Sequence, residues 1–180
     1  MRLLGISGSL RRGSYNRALL EAAAAEVERG AVEFLVWRGL ADIPAYSEDL
    51  ATVPSSVEML RRELAEADAV LIATPEYNAS VPGALKNALD WASTPLPSNA
   101  LRNKPVAVIG ASQGMFGAVW AQADMRKILK AIGALVDDRE LGVARAHEAF
   151  TDDGRLHDPV LAATLRAIVN DLCEPAVQAA

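Results

Sequence analysis

A doubly wound α/β sandwich, with a mainly parallel sheet between two layers of helices, is predicted by three features of the chain. Four short apolar runs, Leu3 to Ile6, Val32 to Trp37, Ala69 to Ala73 and Val106 to Gly110, alternate with segments of helical period, the rhythm of β-α-β units. The runs Ala-Val-Leu-Ile-Ala at 69 to 73 and Val-Ala-Val-Ile-Gly at 106 to 110 are apolar at successive positions, which marks strands covered on both faces. Finally, 180 residues at 51% apolar composition amount to one domain, 1 to 180, able to bury a core without disulfides or metals.

The first strand runs into Ser7-Gly8-Ser9-Leu10-Arg11-Arg12-Gly13-Ser14-Tyr15-Asn16, and Leu20, Ala23, Ala24 and Val27 then mark one face of a helix. The second strand ends at Trp37, a strand-end anchor, followed by a long connection from Arg38 to Ser55. Met59, Leu60 and Leu64 mark the next helix. The third strand enters Thr74-Pro-Glu-Tyr-Asn-Ala-Ser-Val-Pro-Gly-Ala-Leu-Lys-Asn-Ala-Leu-Asp-Trp91. Pro75 and Pro82 resist regular structure, so the residues between them present backbone N–H and C=O groups to something else. A helix starts here with Ser80 as N-cap and Pro82 in its first turn, and Leu85, Ala88, Leu89 and Ala92 face a core, with Trp91 as an anchor on the helix.

The fourth strand exits into Gly110-Ala-Ser-Gln-Gly-Met-Phe-Gly117, ahead of a helix carrying Ala121, Met125, Ile128, Leu129 and Ile132. Ala134 to Val136 is a fifth strand, and Asp138 to His157 is a second long connection. The last helix opens with Asp158 as cap and Pro159 at its first position, with Leu161, Leu165, Ile168 and Leu172 as its buried stripe. Long loops in a compact domain are often functional, and in such sheets ligands sit beyond the carboxyl ends of the strands.

The balance of 18 basic and 23 acidic residues, net charge -5 and dispersed, offers no basic stripe for nucleic acid. A lone cysteine, Cys173, permits no intrachain disulfide or thiolate cluster and suits a reducing cytoplasmic setting, packed in a helix. The apolar run at the N-terminus is too short for a signal peptide, and no stretch approaches the roughly 18 residues of a membrane span. His147 and His157, the two histidines, read as surface residues, and no metal site is expected. Trp120 and Met125 suit a subunit interface or the core.

Three strand exits carry the candidate chemistry. The loop 7 to 16 has the composition of a phosphate cradle: glycine permits close backbone approach, serine donates O–H, arginine grips oxyanions, and a helix N-terminus follows. It lacks both the Gly-Lys-Ser/Thr ending of a P-loop and the G-x-G-x-x-G of dinucleotide folds, so it favours a monophosphate, with a plain helix cap at Ser14 as the structural alternative. Pro75-Glu76-Tyr77-Asn78 offers backbone groups, a ring and a carboxylate. Glu76 reads as a solvated turn residue, or alternatively as a general base. The third exit contains Ser112 in a formal G-x-S-x-G, with Asp152 or Asp153 and His157 following in hydrolase order, but the chain has no H-G-G-G oxyanion loop.

Taken together, these segments resemble the NADPH-dependent FMN reductase family, which includes quinone, chromate and azo-dye reductases. Gly-Ser-Leu-Arg-Arg-Gly-Ser-Tyr-Asn at 8 to 16 is similar to the family's phosphate loop, and Thr74 to Trp91 to its most specific signature. Ala-Asp-Ile-Pro-Ala-Tyr at 41 to 46 and Ala-Gln-Ala-Asp-Met-Arg at 121 to 126 match weaker patterns, the latter with Met125 where leucine is usual. The resemblance spans residues 2 to about 132. It implies a flavodoxin-like, five-stranded parallel sheet of order 2-1-3-4-5 in a three-layer α/β/α sandwich. It also implies that Ser9, Arg11, Ser14 and Asn16, with Tyr15 in the same loop, hold the FMN phosphate. Pro75, Glu76, Tyr77 and Asn78 would line the isoalloxazine, and Ser112 would touch it.

The implied activity is hydride transfer from NADPH or NADH to FMN N5 and onward to a quinone, free flavin, chromate or azo acceptor, by a homodimer or homotetramer. On that reading the backbone N–H groups of Tyr77 and Asn78, with Ser112, bond the ring's polar edge, and turnover is ping-pong. An electron carrier of flavodoxin type, binding FMN without nicotinamide turnover, is the alternative, although its acidic docking face is missing at this modest charge. A Ser112/His157 hydrolase is a further one.

Overall fold

The computed structural model describes residues 1–27 and 32–174. The strands β1 (Arg2–Ser7), β2 (Glu33–Trp37), β3 (Ala69–Thr74), β4 (Pro105–Ala111) and β5 (Leu135–Val136) form a parallel sheet in the order β2-β1-β3-β4-β5. A sixth strand, β6 (Gly142–Val143), pairs with the carboxyl end of β4. That sixth strand corrects the expected count of five. It lies within the connection 138 to 157 and is too short to carry a period of its own.

Burial on both faces explains the continuous apolar runs. Every residue of β3 is buried, as are residues 106 to 111 of β4. Alternate side chains part to opposite sides of the sheet. Leu4, Ile6, Val70, Ile72, Val106 and Val108 meet the helices α2 (Ser55–Glu66), α3 (Gly83–Ala92) and α4 (Val119–Ile132). Leu3, Leu71, Ala73, Ala107 and Ile109 meet α1 (Tyr15–Glu26) and α5 (Pro159–Cys173). The outcome is the three-layer sandwich expected from the sequence.

The helix starts differ in how well the sequence foretells them. Asp158 caps α5 by accepting from Val160 N and Leu161 N, with Pro159 leading the helix. Ser14 likewise caps α1 by accepting from Arg17 N. α3, by contrast, begins at Gly83 with Pro82 as its N-cap, and the Ser80 hydroxyl is drawn away to Asp124. In α2 the buried stripe is Val57, Leu60 and Leu64, and Met59 is 49% exposed, because the first helical turn faces its Val57 edge to the sheet. Met125 is wholly buried in the core and so is not available to a subunit interface, whereas Trp120 is exposed.

The connection from 38 to 55 is held down. It contains a 3₁₀ turn, Gly39–Asp42, with Leu40 buried, and the Pro44 carbonyl accepts from Trp91 Nε1 at 2.9 Å and Asn87 Nδ2 at 2.8 Å. Tyr46 N donates back to Asn87 Oδ1 at 2.8 Å, and the Tyr46 ring meets Trp91 edge-on. Residues 41 to 46 thus dock the loop onto α3.

Candidate functional site

The carboxyl ends of β1, β3 and β4 lie side by side, so the three exit loops meet at one end of the sheet. Between them is a cleft of about 200 Å³ lined by Ser9, Arg11, Ser14, Tyr15, Asn16, Pro75, Glu76, Tyr77, Ala111, Ser112 and Gln113. Every residue singled out in the sequence borders it except Asn78. Its volume is below the roughly 300 Å³ at which small-molecule sites begin, so a larger ligand would extend beyond it to the rim. A larger cavity of about 690 Å³ opens at the opposite end, beside Met1, Asp68, Lys104 and Cys173. There the Lys104 ammonium donates to the Ala67 carbonyl. The smaller cleft has the chemistry.

Its first wall is built for an oxyanion. Ser9 and Ser14 are each only 7% exposed. The oxygen of Ser14 accepts from Arg17 N at 3.2 Å and that of Ser9 from Arg11 N at 3.4 Å. With their oxygens so engaged, both hydroxyls keep an O–H to donate into the cleft. The Arg11 guanidinium makes no ion pair among the described residues and lies 5.5 Å over the Tyr15 ring. The amino end of α1 adds unpaired N–H groups and the positive end of its dipole. This donor set fits a phosphate. Gly8 is what lets the loop close on its neighbour, since a Cβ there would stand 2.6 Å from Leu85 Cδ2 and 3.3 Å from Pro75 Cδ.

Asn16 is buried and engages one partner twice: its Nδ2 donates to Ala111 O and its Oδ1 accepts from Ala111 N, each at 2.9 Å. The side chain fastens the first loop to the end of β4. One Nδ2 hydrogen remains for a ligand.

The second wall is a tight hairpin turn. Tyr77 N donates to Ser80 O at 3.1 Å and Ser80 N to Tyr77 O at 3.2 Å, with Asn78 and Ala79 between them at φ 53° and 58°. Two central residues with positive φ make this a type I′ turn. The expectation that the Tyr77 N–H serves a ligand is therefore corrected, because the turn consumes it. The Asn78 N–H has no partner among the described residues. Glu76 is half-buried, with one carboxylate oxygen committed to a neighbouring helix. Its Oε2 accepts from Trp120 N at 3.0 Å and Ala121 N at 3.2 Å, the first turn of α4.

The third wall comes from Ala111, Ser112 and Gln113. Ser112 N donates to Val143 O at 3.0 Å and Ala146 N to Ser112 O at 3.0 Å, so β6 and the segment behind it fix the loop, while the Ser112 hydroxyl has no partner among the described residues. Ala111 and Gln113 are lining residues not singled out in the sequence, although both lie inside the segment 110 to 117. The hydrolase arrangement is not assembled. Residues 112 to 118 separate β4 from α4, which is no sharp strand-to-helix elbow, and His157 lines a different cavity, with Arg145 and Asp158. Asp153 is bound to Thr151 and Arg155.

The chain is similar to known proteins in sequence and fold. The family model of the NADPH-dependent FMN reductases matches residues 1–148. An NAD(P)H-dependent FMN reductase of Pseudomonas aeruginosa is 44% identical over 161 residues, covering 88% of this chain and 85% of that protein. A quinone reductase of Escherichia coli is 41% identical over 143 residues, 76% of this chain and 73% of that one. Among solved structures, the flavoenzyme NAD(P)H:(acceptor) oxidoreductase of Paracoccus denitrificans superposes with a TM-score of 0.83 at 36% identity, covering 97% of this chain and 96% of the other.

Proposed function

The chain belongs to the NADPH-dependent FMN reductase family, and from that membership we propose that it is a single-domain NAD(P)H-dependent FMN oxidoreductase serving a small acceptor of the quinone class. The observation that carries this reading is the meeting of three strand exits, distant in sequence, around one cleft with an oxyanion wall on one side and an aromatic turn on the other. FMN held there would supply the two-electron chemistry that links a nicotinamide to the acceptor.

The chain's own residues bind and orient. Ser9, Ser14 and Arg11 hold the phosphate with the amino end of α1, and charge-assisted bonds of the arginine type are the strongest available there. Tyr15 carries Arg11 on its ring face. Asn16 positions this cradle against Ala111. Pro75 and the exposed Tyr77 ring flank the flavin, and the Asn78 N–H and Ser112 hydroxyl are the donors left for its polar edge. Glu76 supports the turn from α4 and takes no proton.

Homo-oligomerisation is supported by exposed apolar side chains beside the cleft. Phe116 and Trp120 pack edge-on at 4.9 Å yet are 58% and 47% exposed. A cytoplasmic location agrees with the lone Cys173. Among the described residues no helix is long and apolar enough to cross a membrane.

One experiment tests the assignment. The purified protein, mixed with FMN, should quench its fluorescence at one equivalent, and anaerobic NADPH or NADH should then bleach the flavin within a catalytic cycle. Binding without bleaching would identify an electron carrier instead. A protein that ignores FMN and cleaves an activated ester in a Ser112-dependent way would replace both.

A further inference from the structure

This inference rests on the functional reading above. Ala118, at the N-cap of α4, lies in the left-handed region at φ 64°, and its methyl group offers nothing to the first amides of the helix. Their acceptor comes from the cleft wall instead, as Glu76 Oε2 bonds Trp120 N and Ala121 N. These are the second and third helical positions, the amides a serine or aspartate cap ordinarily serves. Glu76 is also the one acidic side chain lining the cleft among the described residues. A second tie, Ser80 Oγ donating to Asp124 Oδ2 at 2.7 Å, holds the same turn one helical turn further along α4.

Two positive helix ends therefore approach the cleft, and they are treated differently. The end of α1 carries only the neutral Ser14 cap, beside the Arg11 cation. The end of α4, equivalent to about half a unit charge, is covered by a full carboxylate. Because reduction adds negative charge to a flavin, a bare helix end beside the ring would favour the reduced form.

We propose that Glu76 is a tuning residue acting through α4: by covering the helix end at the cleft wall it keeps bound FMN a stronger reductant than a bare end would. The phosphate side keeps its attraction while the ring side loses it. The cofactor is then held firmly yet inclined to give up its electrons to an acceptor.

Glu76→Gln keeps an acceptor for both amides and removes the charge. With FMN loaded, its two-electron midpoint potential, measured anaerobically against a reference dye, should rise. A tenfold gain in affinity for reduced over oxidised FMN corresponds to about 30 mV for such a couple. Affinity for oxidised FMN, read by fluorescence, should change less than about threefold, well under the tenfold shift in the ratio. Glu76→Ala should raise the potential as well and also lower the melting temperature. Ser80→Ala, which cuts the other tie and leaves the charge, should not move the potential. An unchanged potential in Glu76→Gln, a rise seen in Glu76→Ala alone, or an equal rise in Ser80→Ala would each overturn the assignment. Failure of the unaltered protein to bind FMN would strike the functional reading itself, before any variant is compared.

Discussion

The side chain of Asn16 bonds both backbone groups of Ala111, at 2.9 Å each, joining the first turn of α1 to the end of β4 across 95 positions of sequence. Asn16 is 3% exposed and Ala111 2%. The bond pair replaces one rung of sheet pairing with a side-chain mimic, and it sets the width of the cleft between the phosphate wall and Ser112.

Asn16→Ala leaves a buried N–H and C=O without partners, and each costs about 1 to 3 kcal/mol. Urea denaturation should show a loss of about 2 to 4 kcal/mol, with FMN affinity falling in parallel. A loss under about 1 kcal/mol would mean that water or a backbone shift repairs the site.

Arg11 makes no ion pair among the described residues, so its removal should cost binding far more than folding. Arg11→Ala is expected to forgo about 1.5 to 3 kcal/mol, on the order of a ten- to hundredfold weaker FMN dissociation constant. Riboflavin, which lacks the phosphate, should bind the variant and the parent alike. Fluorescence titration with both ligands checks this.

At Gly117 the backbone has φ +58° and runs against β6, so that an added Cβ would stand 2.4 Å from the Gly142 carbonyl carbon. Gly117→Ala should destabilise by about 1 to 3 kcal/mol through overpacking against rigid backbone. The change presses β6 away from β4, which also loosens the Val143 carbonyl that holds Ser112 N. A thermal melt and the retained flavin content report the two effects.

On the proposed function nicotinamide and acceptor would share a single cleft and use it in turn. Initial rates at several fixed acceptor concentrations should give parallel double-reciprocal lines. Intersecting lines, with a ternary complex isolated, would point to a separate acceptor site.

Asp137 bears on acid stability. Its partial burial works to raise the carboxyl pKa, but the guanidinium and N–H of Arg139, reinforced by Arg126, prevail and hold it below its ordinary 3.8. A depressed folded-state value stabilises the fold above the unfolded pKa, and that contribution is lost as pH falls through the folded one. Asp137→Asn should therefore be less stable than the parent near neutral pH, with the gap closing as the pH falls below the ordinary 3.8 and on through the depressed folded-state value. Urea midpoints across that pH range measure it.

Much of this was legible in one dimension wherever cause and consequence are neighbours along the chain. Strands buried on both faces must be apolar at every position, so Ala69 to Ala73 and Val106 to Ile109 declare themselves. A proline after an aspartate at a helix start satisfies local amides, and Asp158 with Pro159 does so here. The Gly/Ser/Arg cradle likewise follows its strand directly. Ser80 misleads because two residues with positive φ let Tyr77 and Ser80 pair with each other, which delays α3 to Gly83. Val143 in β6 was unreadable, since two residues carry no period and gain their identity from β4 beside them.

The chain's own order of residues determined the layered α/β architecture, its strand and helix succession, and the three turns able to touch a ligand, because periodicity and capping act within a few residues. Only the folded tertiary structure decided what those turns do. It spent the Tyr77 amide inside a hairpin, committed Asn16 to Ala111 and sent the Glu76 carboxylate to α4. Hydrogen-bonding groups are claimed by whichever partner packing brings within about 3 Å, and that distance bears no relation to separation along the sequence.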